Sequence, residues 1–244
     1  MIVSSGRAWE LEQNDRRLVF ASAPEATLFA ETRAFSVTRH CHPAWKVVLP
    51  VGGHVEVGTG VSRTVAAHGV IVPPQLPHTC AASSSYVALF LDPWALRPAP
   101  GPTRLDESAA RRMLAALGHG DIPGPEADLA AARAELVRLT GAGVPLDPRV
   151  ACAVQESARD HIGTIAADVG LSPPRLRALV RASVGVPLVR LRQWTRLRTA
   201  MAALPDGSVA AAAASAGFAD QAHLTRTARA LLGRAPVSIG RPPV

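Results

Sequence analysis

The feature that most constrains this chain is an internal repeat near its C-terminus. Shifted by 48 positions, Ser172-Pro-Pro-Arg-Leu176 falls on Asp220-Gln-Ala-His-Leu224, Arg181 on Arg229 and Gly185 on Gly233. Upstream the shift is 47, with Gly170-Leu171 under Gly217-Phe218, so the second copy has one more residue in its turn. Two copies of one pattern must build the same local unit. Each has an Ala-rich stretch (164–169 and 208–216) that ends at a glycine, where a positive φ carries no steric cost. An apolar residue follows, then an N-cap, Ser172 or Asp220, and a second helical pattern. Pro173 suits the first helical turn, where no N–H is needed. Helix, tight turn, helix is the expected unit, present twice.

At 100° per residue the second helix of each unit has two faces. Leu176, Leu179, Val180 and Ser183 share one side, and Pro174, Arg177, Ala178 and Arg181 the other, with Arg175 at the flank. In the second unit Leu224, Thr227, Ala228 and Leu231 turn inward. Ala222, Thr225, Arg226 and Arg229 turn outward, flanked by Gln221 and His223. Residues 186–204 between the units read as one helix of ~17 residues, roughly 25 Å long, a length suited to spacing two elements along DNA. Charge supports a polyanionic partner for this half. Residues 1–146 carry 13 basic and 13 acidic side chains, whereas 147–244 carry 13 arginines against 6 acids.

The first 97 residues read differently. KVVLPV (46–51), GHVEVG (53–58), GVIVPP (69–74) and YVALFLD (86–92) are short strand patterns separated by Gly, Pro and Ser, as in an antiparallel sandwich or barrel. RPAPGP (97–102) is breaker-rich, and two helical patterns follow at 105–118 and 125–141, each closed by Gly. GAGVPLDP (141–148) marks a boundary. The expected organisation is α+β: a sensor domain over 1–97, a linker and helical dimerisation segment over 98–146, and an all-α domain over 147–240. Three cysteines are too few for a disulfide framework. The N-terminus lacks a signal peptide's apolar region, and no apolar run reaches the ~18 residues of a membrane span. A cytoplasmic protein with no membrane partner is expected.

The double motif, with GFADQAHLTRTARALLGRAP as its second half and RLRTAMAAL in the connecting helix, strongly resembles the AraC/XylS transcription regulators over about residues 147–240. The resemblance implies a homodimeric activator that binds double-stranded DNA and recruits RNA polymerase. By position it carries Pro174, Arg175, Arg177 and Ala178 onto the first recognition helix, and Gln221, Ala222, His223, Thr225 and Arg226 onto the second. Arg177 and Arg226 have the chemistry to pair with guanine, and Gln221 with adenine. Arg181, Arg190, Arg192 and Arg229 are expected at phosphates. Where the family usually carries Phe in each second helix, this chain has Val180 and Ala228.

RHCHPAWKVV (39–48), VPPQLPHTC (72–80) and LFLDP (89–93) resemble the cupin-like barrel that precedes the DNA-binding domain in many such regulators. Metal-binding cupins add a glutamate shortly after His-x-His, and here Lys46 stands in its place. His40, His42 and His78 form a candidate three-nitrogen site for zinc, nickel, copper or iron. With Trp45 and Lys46 the same histidines are also the candidate lining of a small-molecule effector pocket, and a structural role is the third reading. No nucleophile–base pair or phosphate-cradling loop stands out, so no enzymatic activity is expected. The rival readings are a metal-dependent cupin enzyme with an accessory helical domain, and a non-specific nucleic-acid binder.

Overall fold

The computed structural model describes residues 7–60, 64–118, 122–157 and 161–239. Its N-terminal strands are β1 (Arg7–Gln13), β2 (Arg16–Ser22), β3 (Thr27–Glu31), β4 (Phe35–His40), β5 (Trp45–Pro50) and β6 (Val55–Gly58). They continue as β7 (Thr64–Ala67), β8 (Gly69–Val72), β9 (His78–Ala82), β10 (Tyr86–Leu91) and β11 (Thr103–Leu105). Seven form an antiparallel sheet in the order β1-β2-β3-β10-β5-β8-β11, and four form a second in the order β4-β9-β6-β7. Asn14 and Asp15, at φ 50° and 55°, close the β1–β2 hairpin in two residues, a turn Asn and Asp tolerate better than most.

WKVVLP and YVALFL are buried along their whole length because both faces of the larger sheet are covered. Trp45, Val47 and Leu49 face α1 (Glu107–Leu117) and α2 (Leu129–Thr140), whose Met113, Leu117 and Leu136 complete that layer. Lys46 and Val48 alternate to the opposite, barrel side. β11 pairs with β8 inside the same sheet. Residues 103–140 thus add a strand and a covering layer to the larger sheet, and the apolar stripes of both helices are used there.

The C-terminal half is helical: α3 (Pro148–Glu156), α4 (Ile162–Asp168), α5 (Pro173–Val184), α6 (Leu188–Ala202), α7 (Val209–Ser215) and α8 (Gln221–Leu232). The repeat is exact in its helices, with 7 residues each in α4 and α7 and 12 each in α5 and α8. Gly170 and Gly217 take φ of 67° and 73° at matching turns. Leu171 N donates to Ala166 O at 2.8 Å, and Phe218 N to Ala213 O at 3.0 Å, so the two turns close alike. The caps differ. Asp220 accepts from His223 N at 2.6 Å, whereas Ser172 makes no side-chain cap bond. Pro174 removes the N2 donor, one of the two N–H groups a cap side chain serves, and the Ser172 hydroxyl makes no bond to the other.

The two halves are not separate bodies. Leu18, Phe20, Val48, Val72, Ala88 and Phe90 of the barrel share one core with Trp194, Leu197 and Met201 of α6 and Leu224, Ala228 and Leu231 of α8. The first motif has its own core, built on Val150, Ile165, Leu176, Val180, Leu188 and Leu191. Val180 and Ala228, in the places where the related family usually has Phe, are both fully buried. Ala228 belongs to the core that the second motif shares with the barrel, and Val180 to the first motif's own core.

Candidate nucleic-acid interface and effector site

The outward faces expected of the two second helices are solvent-facing. Arg175, Arg177, Ala178 and Arg181 are exposed on α5, and Gln221, Ala222, Arg226 and Arg229 on α8, with Thr225 half-buried. Leu176 and Val180, then Leu224, Thr227, Ala228 and Leu231, form the inward faces. Ser183 departs from the pattern and is exposed. Arg177 and Arg181 also line an open groove with Arg192 from α6, which gathers three guanidinium groups at one edge of the first motif. The barrel covers neither basic face.

Two of the expected DNA-contacting residues are otherwise engaged. Arg190, expected at a phosphate, is half-buried and donates through Nη2 to Cys41 O of the barrel at 2.9 Å, so it ties the halves together. Its helix runs along the barrel rather than standing free, which a helical wheel does not reveal. His223 is half-buried, its ring set edge-on to Phe218 at 5.2 Å, and its Nδ1 faces Ala219 N at 3.5 Å. That ring supports the turn before α8 instead of reaching outward.

His40, His42 and His78 do converge, with ligand atoms within 4.8 Å of one another. The β4–β9 pairing sets His40 opposite His78 beyond a register shift, and this brings the three rings together. Each Nδ1 lies on a main-chain carbonyl: His40 on Thr38 O at 2.8 Å, His42 on Ala44 O at 2.7 Å and His78 on Leu76 O at 2.9 Å. A carbonyl can only accept, so each Nδ1 carries the proton and each Nε2 presents a lone pair. Lys46 Nζ lies 3.4 Å from His40 Nε2, while the Nε2 atoms of His42 and His78 are buried without a partner. Burial first, then nearby positive charge, lowers His40 to about 2 and His78 to about 3, and holds His42 well below its usual range. All three rings are neutral at physiological pH. Burial also lowers Lys46.

Trp45, expected to wall an effector pocket, is not at this site. Its indole donates to Pro93 O at 3.0 Å within the layer under α1 and α2. Adjacent strand residues face opposite ways, so Trp45 and Lys46 cannot line one pocket. The aromatic wall comes instead from Phe20, Phe29, Phe35, Tyr86 and Phe90, with Trp194 closing it from α6. These surround an apolar cavity of about 60 Å³ between barrel and helices, with Lys46, Arg198 and Arg234 as its cationic lining. Among the described residues, Lys46 has no carboxylate partner.

Arg234, which sequence reasoning passed over, belongs to a buried cluster across the seam. Its Nη1 donates to Glu31 Oε2 at 3.0 Å and to the Tyr86 hydroxyl at 3.1 Å. Tyr86 in turn donates to Glu31 Oε2 at 3.0 Å, and Arg16 Nε lies 2.6 Å from Glu31 Oε1. Strand-borne Glu31 reads as an ordinary exposed position until its partners, 203 residues away for Arg234, are known.

Residues 165–241 match the family described as helix-turn-helix domain. No protein of curated function matches the chain. Among solved structures it is similar to ToxT from Vibrio cholerae, at 9% identity and a TM-score of 0.55 over 87% of this chain and 96% of that one. ToxT with an unsaturated fatty acid bound gives 11% identity and a TM-score of 0.54, covering 87% and 93%. ToxT with (E)-4-(8-methylnaphthalen-1-yl)but-3-enoic acid bound gives 9% and 0.52, covering 87% and 96%. No helix among the described residues is long and apolar enough to cross a membrane.

Proposed function

We propose, from the premise that residues 165–241 are an AraC-type helix-turn-helix domain set in the fold it shares with ToxT, that this chain is a sequence-specific transcription regulator. The observation that carries the reading is the pair of matching 12-residue helices, each with its arginine-bearing face exposed and its apolar face buried. A guanidinium on such a face can pair with guanine O6 and N7 in the major groove, and the other arginines can fix register on phosphates. In this reading Arg175, Arg177, Arg181, Arg192, Gln221, Thr225, Arg226 and Arg229 meet DNA, while Arg190 holds the helices to the sensor. Footprinting on the promoter beside its own gene tests it. Protection over two successive major grooves, with affinity well above that for random DNA at the same salt, is expected. Equal affinity for both sequences would leave only a non-specific binder.

The same reading gives the cavity an effector, a small carboxylic acid with an apolar body. Both ligands named for the ToxT structures are carboxylic acids, and Lys46, which has no carboxylate partner among the described residues, offers this cavity's carboxylate-binding charge among aromatic walls. Calorimetric titration with short-chain carboxylic acids, the size that a cavity of about 60 Å³ admits, is expected to show saturable binding that Lys46→Met weakens, and its absence would remove this effector class. A cytoplasmic homodimer that joins through the outer surfaces of α1 and α2 and activates by recruiting RNA polymerase completes the proposal. Sedimentation and in vitro transcription test those steps.

A further inference from the structure

The three histidines do not line the cavity but adjoin two of its lining residues, His40 through Lys46 and His42 through Phe90, and neither DNA binding nor a carboxylate ligand requires them. Burying three imidazoles with two Nε2 lone pairs unpartnered costs free energy that an apolar trio would not. The cost is repaid if the lone pairs have an acceptor of electrons to meet. Each ring is fixed in the required tautomer by a carbonyl on its far nitrogen, the outer support that ligating histidines use. Three convergent neutral nitrogens with no acidic side chain in the cluster suit a borderline divalent ion whose remaining position a water or another small ligand fills inside this buried site.

The site also sits against the DNA-binding half. Gly233, at the C-terminal end of α8, approaches so closely that an added Cβ would lie 2.8 Å from His40 Nδ1 and 2.6 Å from Thr38 O. Thr38 Oγ1 donates to Gly233 O at 3.1 Å, and Cys41 N donates to Ala230 O at 3.0 Å. The strand that carries His40 is thus the surface on which α8 is docked. We propose that His40, His42 and His78 bind one divalent transition-metal ion of the zinc class through their Nε2 atoms, and that the ion steadies the docking of α8 on the sensor. Lys46, on His40 Nε2, gives way when the ion arrives. The proposal stands apart from the identity of the cavity ligand and from DNA binding.

The test uses the full chain, stripped with chelator and titrated with Co²⁺, with Zn²⁺ as competitor. One equivalent per chain with visible ligand-field bands is expected. His42→Gln and His78→Gln should each weaken binding by more than the roughly 10- to 100-fold typical of lost supporting groups. Lys46→Met, which keeps the side chain's length and removes its ammonium, should tighten binding, and it tests the site even if the histidine variants fold poorly. Absence of stoichiometric bands, bands that survive both histidine substitutions, or weaker binding by Lys46→Met overturns the site. Amide exchange at 38–41 and 229–233 should slow when Zn²⁺ binds, and equal exchange overturns the docking role.

Discussion

Replacing Glu31 with Gln tests whether the barrel and the helix-turn-helix half are locked by the buried cluster at their seam. Glu31 is 5% exposed at its side chain and meets Arg16, Arg234 and Tyr86 at 2.6–3.0 Å. Glutamine fills the same space but removes the only negative charge of the cluster, and its amide NH₂ must face one of the two guanidinium groups. Breaking a fully buried pair costs about 3–5 kcal/mol. Arg16 and Arg234 retain 22% and 16% exposure, so water recovers part of that, and about 2–3 kcal/mol is the expected loss. For a chain of this size this corresponds to a fall in Tm of about 4–12 °C. Thermal unfolding followed by circular dichroism gives the value, with Glu56→Gln, at an exposed strand position, as the control. A Glu31→Gln loss no larger than the control's would show that the cluster does not hold the halves together.

Arg226→Ala should weaken binding to the cognate site by about 1–3 kcal/mol, roughly 5- to 150-fold, with little change on random DNA in a gel-shift assay at fixed salt. Arg190→Ala should do the reverse, lowering stability by about 1–2 kcal/mol in urea unfolding while the ratio of specific to random affinity holds. Asp220→Ala should cost about 1 kcal/mol and Ser172→Ala close to none, since only the first caps its helix through the side chain. In chelator, stability should be complete above pH ~6.5 and fall as the pH drops from there toward 3. The folded state holds His40 at about 2 and His78 at about 3, so the unfolded chain binds the protons first. At pH 5 each such ring costs roughly 2 kcal/mol. Urea midpoints at pH 7 and pH 5 give the slope, and a flat profile would mean that the rings are not held neutral.

Much of this architecture is legible in the sequence because local rules govern it. The 47- and 48-residue offsets reappear as helices of equal length with glycines at matching turns, since turn chemistry and helical period act within a few residues. The His40–His42–His78 convergence is legible from the His-x-His spacing and the proline-rich turn before His78, although β4 ends at His40 and His42 lies just beyond it. What escapes is decided by distant partners. Nothing near Arg190 distinguishes it from a phosphate contact, because Cys41 O is 149 residues away. Trp45 illustrates a rule available but unused: its neighbour Lys46 already commits the tryptophan to the other face. β5 is buried on both faces although Lys46 interrupts its apolar run, and which layer covers each face depends on α1, α2 and α6.

The helix that joins the two helix-turn-helix units packs into the barrel through Trp194 and Met201. Trp194 and Met201 of α6 form part of the cavity wall, while Leu188 and Leu191 at its other end belong to the first motif's core. With 15 residues it is about 22 Å long. A ligand that shifts Trp194 therefore works on a lever whose arm carries α5, and it moves that arm against the Arg190–Cys41 hydrogen bond that holds it to the barrel. A tilt of about 5° moves the far end by about 2 Å, a large fraction of a base-pair step. Effector occupancy would then be felt as a change of stride along DNA, with the second motif standing still and the first one stepping.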